Sequence, residues 1–130
     1  HWRTTAIEAI KQCGSAWLSK VETPVSLKEL AGRPHDFDLS MIASLQPGSR
    51  HPRGWFREFE EKNGRSPQSL LIWVGPEGDF TPEETSLVDA SGARPITLGR
   101  WVLRSETAAV YCLSVLNYEL QARAAKQGRD

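Results

Sequence analysis

One short segment limits the possible folds of this chain more than any other. Residues 69–74 read SLLIWV, and every position after the serine is apolar. A strand with one face in solvent alternates apolar and polar side chains, whereas a continuously apolar strand is typical of a parallel sheet covered on both faces. The segment therefore predicts a strand packed between two layers of helices.

The flanking segments alternate between helical and strand patterns. Thr81, Pro82 and Glu84 supply the N-cap, the first-turn proline and the capping-box glutamate of a helix that Gly92 ends. Periodicity and turn residues predict further helices at 2–13, after Ser26, at 52–62 and at 106–125, and strands at 38–45 and 95–98. This order predicts an α/β fold with a doubly wound, mostly parallel sheet, whose ligands bind beyond the C-terminal ends of the strands.

The composition limits what the chain can bind unaided. Its 130 residues fit one domain, and 16 basic and 16 acidic side chains give a formal net charge of zero. A domain that binds nucleic acid alone is usually basic, so such binding would need a local patch, a second subunit or a further domain. Cys13 and Cys112 lie in apolar helical patterns, which favours buried thiols and a reducing, cytoplasmic compartment. No apolar run is long enough to span a membrane.

Two loops carry the candidate chemistry, and the first covers residues 75–80, GPEGDF. Its two glycines allow a tight turn with exposed backbone that can approach a ligand closely. The loop lacks the Lys-Ser/Thr pair of a phosphate loop and the spacing of a dinucleotide fingerprint. Taken alone, it is more simply explained as a strand-to-helix turn.

The second loop covers residues 98–108, LGRWVLRSETA. Glu106 suits the start of a helix, where the dipole is positive, but Arg104 does not. The arginine therefore needs an anion such as Glu77, Glu106 or a phosphate. An ion pair that only holds the loop together is the alternative to a functional role.

Other polar residues give weaker signals. The three histidines share no metal-ligand spacing, so no metal site is predicted. Arg50, His51, Arg53 and Arg57 could contact RNA phosphate, although a solvated basic surface is the favoured interpretation. The aromatic residues at 55, 56 and 59 are predicted to pack in the interior.

Together the loops resemble those of the ribosomal RNA small subunit methyltransferase E family. The matching pattern is a GPEGxF loop, a TxxE helix, a short strand and LGxx[VI]LRxETA. The stretch Trp2-Arg3 and residues 8–14, EAIKQCG, also resemble that family. The resemblance covers essentially the whole chain, with departures at Ser15, Asp79 and Trp101, where the family more often has an arginine, a glycine and a small or basic residue.

The resemblance implies the SPOUT fold, an α/β domain with a C-terminal trefoil knot. It implies a homodimer that binds S-adenosylmethionine (SAM) and methylates a uridine at N3 in small-subunit ribosomal RNA. Family members also carry an N-terminal PUA-like RNA-binding domain. Because the chain begins at His1 and its only methionine is Met41, we expect a fragment without that domain and without the first strand-helix unit. A related enzyme acting on another RNA site, or a non-catalytic dimerisation or RNA-docking module, are the alternatives.

The resemblance also assigns residues to the site. Arg104 is expected to stabilise the uracil anion or to anchor a phosphate, and Glu106 to accept a proton or to orient the arginine. Cofactor contacts are expected from Ser44, Leu45, Gly75, Glu77, Gly78, Leu98, Gly99, Val102 and Leu103.

The last predicted helix is a candidate for the dimer interface. Its apolar side chains exceed what one face of a sheet needs. They are Ala109, Cys112, Leu113, Leu116 and Leu120 on one stripe, with Val110 and Val115 on adjacent faces.

Overall fold

The computed structural model describes residues 2–13, 20–44, 48–76, 79–99 and 104–126. The helices are α1 (Trp2–Cys13), α2 (Leu27–Gly32), α3 (Pro52–Asn63), α4 (Pro82–Ala90) and α5 (Ser105–Lys126). The strands are β1 (Leu39–Ala43), β2 (Leu70–Val74) and β3 (Arg94–Ile96). Each predicted element is present, and most of the predicted bounds agree to within one or two residues.

The three strands form one parallel sheet in the order β2-β1-β3. The first strand in the chain therefore lies between the other two. Ala43, the last residue of β1, pairs with Val74 on one side and with Ile96 on the other. All three strands thus end at the same level, and the parallel sheet expected from the sequence is confirmed.

Helices cover both faces of this sheet. On one face, Met41 of β1 and Ile96 of β3 pack with Phe56 of α3 and with Cys112 and Leu116 of α5. On the other face, the side chains of the strands pack with those of α2 and α4, in a cluster that includes Ile42, Trp73, Val88, Leu27 and Leu30. The fold is therefore doubly wound, as predicted.

The start of α4 shows why the sequence specifies this helix so clearly. The Glu84 amide donates to the Thr81 hydroxyl at 3.2 Å, and the Thr81 amide donates to the Glu84 carboxylate at 2.8 Å. The predicted capping box is thus formed in both directions. Ser26 caps α2 in the same position, accepting from the Glu29 amide at 3.1 Å.

Strand β3 ends two residues earlier than the predicted segment 95–98, so Thr97 and Leu98 belong to the following loop. The backbone of Arg50 forms hydrogen bonds with this segment. The Arg50 amide donates to the Pro95 carbonyl at 3.1 Å, and the Thr97 amide donates to the Arg50 carbonyl at 3.0 Å. These isolated bonds satisfy the backbone at the strand end without extending the sheet.

The expected single apolar face of α5 needs correction. Cys112 and Leu116 are buried against the sheet and Leu120 packs beside them, whereas Leu113 is 62% exposed. A helix this rich in apolar residues has two apolar faces, and the sequence alone did not show which one meets the sheet. Burial raises the pKa of the Cys112 thiol to about 11. The side chain of Cys13 lies outside the described residues.

An ion-pair network joins α3 to α5. Glu119, which is almost fully buried, accepts two hydrogen bonds from Arg53 at 3.1 and 2.6 Å and pairs with Arg123. Arg123 also pairs with Glu60 at 3.3 Å. Burial raises the pKa of Glu119, but the hydrogen bonds and charges of the two arginines outweigh this effect and hold the pKa below its ordinary value.

Candidate functional site

The candidate site lies at the C-terminal edge of the sheet, where three loops begin side by side. Ser44, Gly75 and Thr97 each follow the last residue of a strand, and those last residues are paired across the sheet. Neighbouring strands are separated by roughly 4.8 Å, so the three loops begin within roughly 10 Å of one another. Parallel α/β sheets bind their ligands in this position.

A hydrogen bond brings the start of α5 to the loop after β2. The Ser105 hydroxyl donates to the Gly75 carbonyl at 2.8 Å. The chain therefore leaves β3 at one side of β1 and begins α5 against the loop at the other side. Sequence reasoning did not single out Ser105, because a serine at a helix start is usually explained by capping alone.

The two described glycines of the site, Gly75 and Gly99, differ in why a glycine suits the position. A Cβ atom at Gly75 would lie 3.0 Å from the ring of Phe80, so a larger residue there would fit only if this ring moved. Gly99 has a φ of +94°, which disfavours any other residue, but a Cβ atom there would meet no atom of the described residues within 4 Å. Open space beside the Gly99 backbone is what an approaching ligand would need.

The loops after β1 and β2 are also joined to each other. The Ser44 hydroxyl donates to Asp79 at 3.3 Å, while the other oxygen of Asp79 accepts from the Phe80 amide at 2.8 Å. Asp79 has a φ of +65°, in the left-handed region. This conformation explains why a glycine would suit the position, and the short polar side chain of aspartate tolerates it better than most others.

Leu98 and Gly99 border a small, mostly apolar cavity of about 110 Å³ between the loop after β3 and α5. His51 and Pro52, Tyr111 and Val115, and the buried side chains of Cys112 and Leu116 complete its wall. A cavity of this size is smaller than a typical small-molecule site, so it can hold only part of a ligand. Thr97 fixes the loop at its mouth by accepting from the Gly99 amide at 3.2 Å.

Arg104 and Glu106 do not pair with each other. Arg104 is exposed, and its carbonyl accepts from the Ala108 amide at 2.7 Å in the first turn of α5. Glu106 is exposed one turn before Val110, in a shallow depression that also includes Tyr111. Among the described residues no carboxylate forms an ion pair with Arg104. The interpretation of Arg104 and Glu106 as a structural ion pair is therefore not supported.

Several predicted site residues lie outside the described residues. They are Leu45, Glu77, Gly78, Val102 and Leu103. The structure thus places Ser44, Gly75, Leu98, Gly99, Arg104 and Glu106, the first four of them at one edge of the sheet.

The described residues contain neither a metal-binding cluster nor a membrane-spanning helix. No group of three histidine, cysteine or acidic side chains is arranged to hold a metal ion among them. In the same parts of the chain, no helix has the length and apolar character needed to cross a membrane.

The fold and the position of the site define the class of protein. The chain is a parallel α/β domain with its candidate ligand site at the C-terminal edge of the sheet. Within that class the family is shown directly. Residues 1–117 match the RNA methyltransferase domain family, and the chain belongs to it.

Individual relatives agree with this assignment. The chain is 30% identical over 121 residues to ribosomal RNA small subunit methyltransferase E of Bacillus subtilis, covering 93% of this chain and 47% of the relative. It is 27% identical over 119 residues to the protein of that name from Mesomycoplasma hyopneumoniae, covering 88% of this chain and 46% of the relative. The chain thus spans less than half the length of these relatives.

Solved structures of similar proteins also support the assignment to this family. A methyltransferase from Legionella pneumophila, in complex with the bound cofactor SAM, superposes with a TM-score of 0.76 at 33% identity, over 91% of this chain and 45% of that one. A probable rRNA-methyltransferase from Porphyromonas gingivalis has the same TM-score at 27% identity, over 92% of this chain and 48% of that one.

Proposed function

We propose that this chain is the methyltransferase domain of a SAM-dependent enzyme that methylates a uridine at N3 in small-subunit ribosomal RNA. The observation that carries the proposal is the alignment of the three strand ends, which brings the loops after Ala43, Val74 and Ile96 to one edge. Relatives named ribosomal RNA small subunit methyltransferase E and a SAM-bound neighbour support the substrate class and the cofactor. Such a substrate would place the activity in the cytoplasm.

The described residues fit a cofactor with an adenine ring. The apolar wall beside Leu98 suits the ring, and the open space at Gly99 allows the ligand to approach the backbone. Ser44, Gly75, Leu98 and Gly99 are the described residues that would hold SAM, together with Leu45, Glu77, Gly78, Val102 and Leu103. When bound, SAM supplies a methyl group on a sulfonium, which an in-line nucleophile accepts.

The protein must therefore make the uracil N3 nucleophilic, because this atom carries a proton at neutral pH. Arg104 stands beside the positive end of α5, where a cation needs a compensating anion, and none of the described carboxylates supplies one. We assign it the stabilisation of the uracil anion or of its phosphate. Glu106 is assigned to accept the proton or to orient the arginine.

The test is methyl transfer from labelled SAM to small-subunit ribosomal RNA, with Arg104→Ala and Arg104→Lys as variants. Loss of a transition-state contact should lower turnover by about 100-fold or more at unchanged SAM affinity and Tm. Arg104→Lys keeps the charge but loses the planar fork, so partial recovery is expected. A parental rate in Arg104→Ala would show that Arg104 is not catalytic. If the full-length protein that contains this domain transfers no methyl group to this RNA, the proposal itself is contradicted.

A C-terminal trefoil knot belongs to the same proposal. It is supported by the path of the described chain: Ile96 pairs with one side of β1, whereas Ser105 contacts Gly75, beyond the other side. An experimental trace of residues 100–103 tests it. In a knotted chain the helix after Thr107 passes through the loop formed by the preceding segment, and a trace without this passage would refute the knot.

We further propose a homodimer through α5. Val110, Leu113 and Tyr118 are 65%, 62% and 67% exposed, and Tyr111 lies beside them, so this helix presents an apolar face that the chain's own core does not cover. Light scattering at micromolar concentration should give twice the mass of the chain. A monomeric mass would count against the dimer.

A further inference from the structure

A basic surface borders the candidate site without belonging to it. Arg50, His51, Arg53 and Arg57 line one open concavity around Gly54, at the start of α3. Residues 50–57 contain no acidic residue. We call these four side chains the arginine surface.

Two of the three arginines have no carboxylate partner among the described residues. Arg53 is paired with Glu119, and this contact raises the pKa of Arg53 through the hydrogen bonds and charge of the carboxylate. Arg50 and Arg57 are exposed, and no ion pair among the described residues includes either of them. In a chain with zero net charge, this is a local excess of positive charge.

Arg50 is held in a defined position. Its backbone is bonded to Pro95 and Thr97, and its guanidinium lies 4.1 Å from the centre of the Trp55 ring. Gly54 makes room for it, since a Cβ atom at that position would lie 2.9 Å from a guanidinium nitrogen of Arg50. An arginine stacked on an aromatic ring keeps its in-plane N–H groups available to a ligand.

The arginine surface also adjoins the proposed methyl-transfer site. His51 lines both this concavity and the cavity that contains Leu98 and Gly99. The His51 ring accepts from the Arg53 amide at 3.1 Å through Nδ1, so a neutral ring carries its hydrogen on Nε2. A polymer held by Arg50 would therefore continue directly past the loop after β3.

We infer that the arginine surface binds the phosphodiester backbone of the RNA next to the nucleotide that is methylated. The inference rests on the proposed function and adds a surface to it. A planar guanidinium group can donate two parallel hydrogen bonds to phosphate oxygens. The guanidinium groups of Arg50 and Arg57 lie on one side of the site, which fits the repeating negative charge of an RNA strand. Because such contacts position the backbone, they contribute affinity that does not depend on base sequence.

The experiment measures binding of a labelled, mixed-sequence, single-stranded RNA oligonucleotide by fluorescence anisotropy over a range of salt concentrations. Arg50→Gln and Arg57→Gln should each weaken binding about 3- to 10-fold at low salt. Each should also reduce the slope of log K against log salt by about 0.7. Lys28→Gln removes the same charge from exposed α2 on the other face of the sheet and should change neither quantity.

Gly54→Ala tests the position of Arg50 without changing any charge. The added methyl group displaces the guanidinium, so RNA affinity should fall while Tm stays the same or rises, because alanine favours a helix over glycine. This variant keeps the test valid if Arg50→Gln folds poorly after losing its contact with Trp55.

The inference fails if the parent chain does not bind RNA, if the double variant Arg50→Gln/Arg57→Gln binds like the parent, or if Lys28→Gln weakens binding equally. Tighter binding of polyglutamate than of RNA would identify an acidic protein partner instead and would also overturn it. SAM binding in the same samples separates the two claims. A chain that binds SAM with unchanged RNA affinity in both arginine variants refutes only the arginine surface.

Discussion

Replacing Ser105 by alanine tests whether the start of α5 helps to build the site. The half-buried hydroxyl donates to the Gly75 carbonyl at 2.8 Å, across 30 residues of sequence. Loss of this bond, together with a partly buried carbonyl left without it, should cost about 1–2 kcal/mol. For a domain of this size the loss corresponds to a fall in Tm of about 3–8 °C.

The same substitution should weaken SAM binding about 3- to 10-fold, because the bond holds two loops of the site together and one contact is worth about 1 kcal/mol. Thermal unfolding and calorimetric titration measure the two effects. Ser86→Ala is the matched control: Ser86 is exposed on α4, away from the site, so its replacement should leave both quantities near the parental values. If Ser105→Ala behaves like Ser86→Ala, the bond between α5 and the loop after β2 does not support the site.

Two further predictions concern stability and pH. Glu119→Gln should destabilise the fold by about 2–4 kcal/mol, because it leaves Arg53 and Arg123 facing a neutral group in a buried position, and denaturant unfolding measures the loss. Asp38 should stabilise the fold above pH 4 and lose this effect as the pH falls towards 2. Hydrogen bonds from Arg65 and the Gln68 amide lower the pKa of Asp38 to about 2, so the folded state binds its proton less readily than the unfolded chain does. Tm measured against pH should therefore fall less steeply below pH 4 in Asp38→Asn, and an unchanged curve would refute this reasoning.

Local signals were enough to predict the elements of the fold. The capping residues Thr81 and Glu84 fix the start of α4 through hydrogen bonds only three residues apart, and the apolar run at 70–74 marks β2, although only Trp73 of this run is buried. Such contacts depend on neighbours in sequence, so pattern reasoning can find them. The doubly wound sheet then follows from the order of the elements.

The contacts that shape the site are long-range, and pattern reasoning missed them. The bonds between Ser105 and Gly75 and between Ser44 and Asp79 join residues at least 30 positions apart. Asp79 did carry a signal, because it departs from the glycine expected at its position. Leu113 shows the same limit for packing: its apolar character is visible in the sequence, but which face of α5 meets the sheet depends on the tertiary fold.

The central claim is that SAM binds at the C-terminal edge of the sheet, and calorimetric titration of SAM into the chain tests it most directly. One site per chain is predicted, lost in Gly99→Leu because the side chain enters the open space beside the loop after β3. Gly92→Leu is the matched control, since Gly92 has a similar φ of +100°, equally open surroundings and a position before β3, at the opposite edge of the sheet. The account predicts that Gly92→Leu binds SAM like the parent and that Gly99→Leu does not. Absence of binding by the parent, or equal binding by both variants, would contradict it.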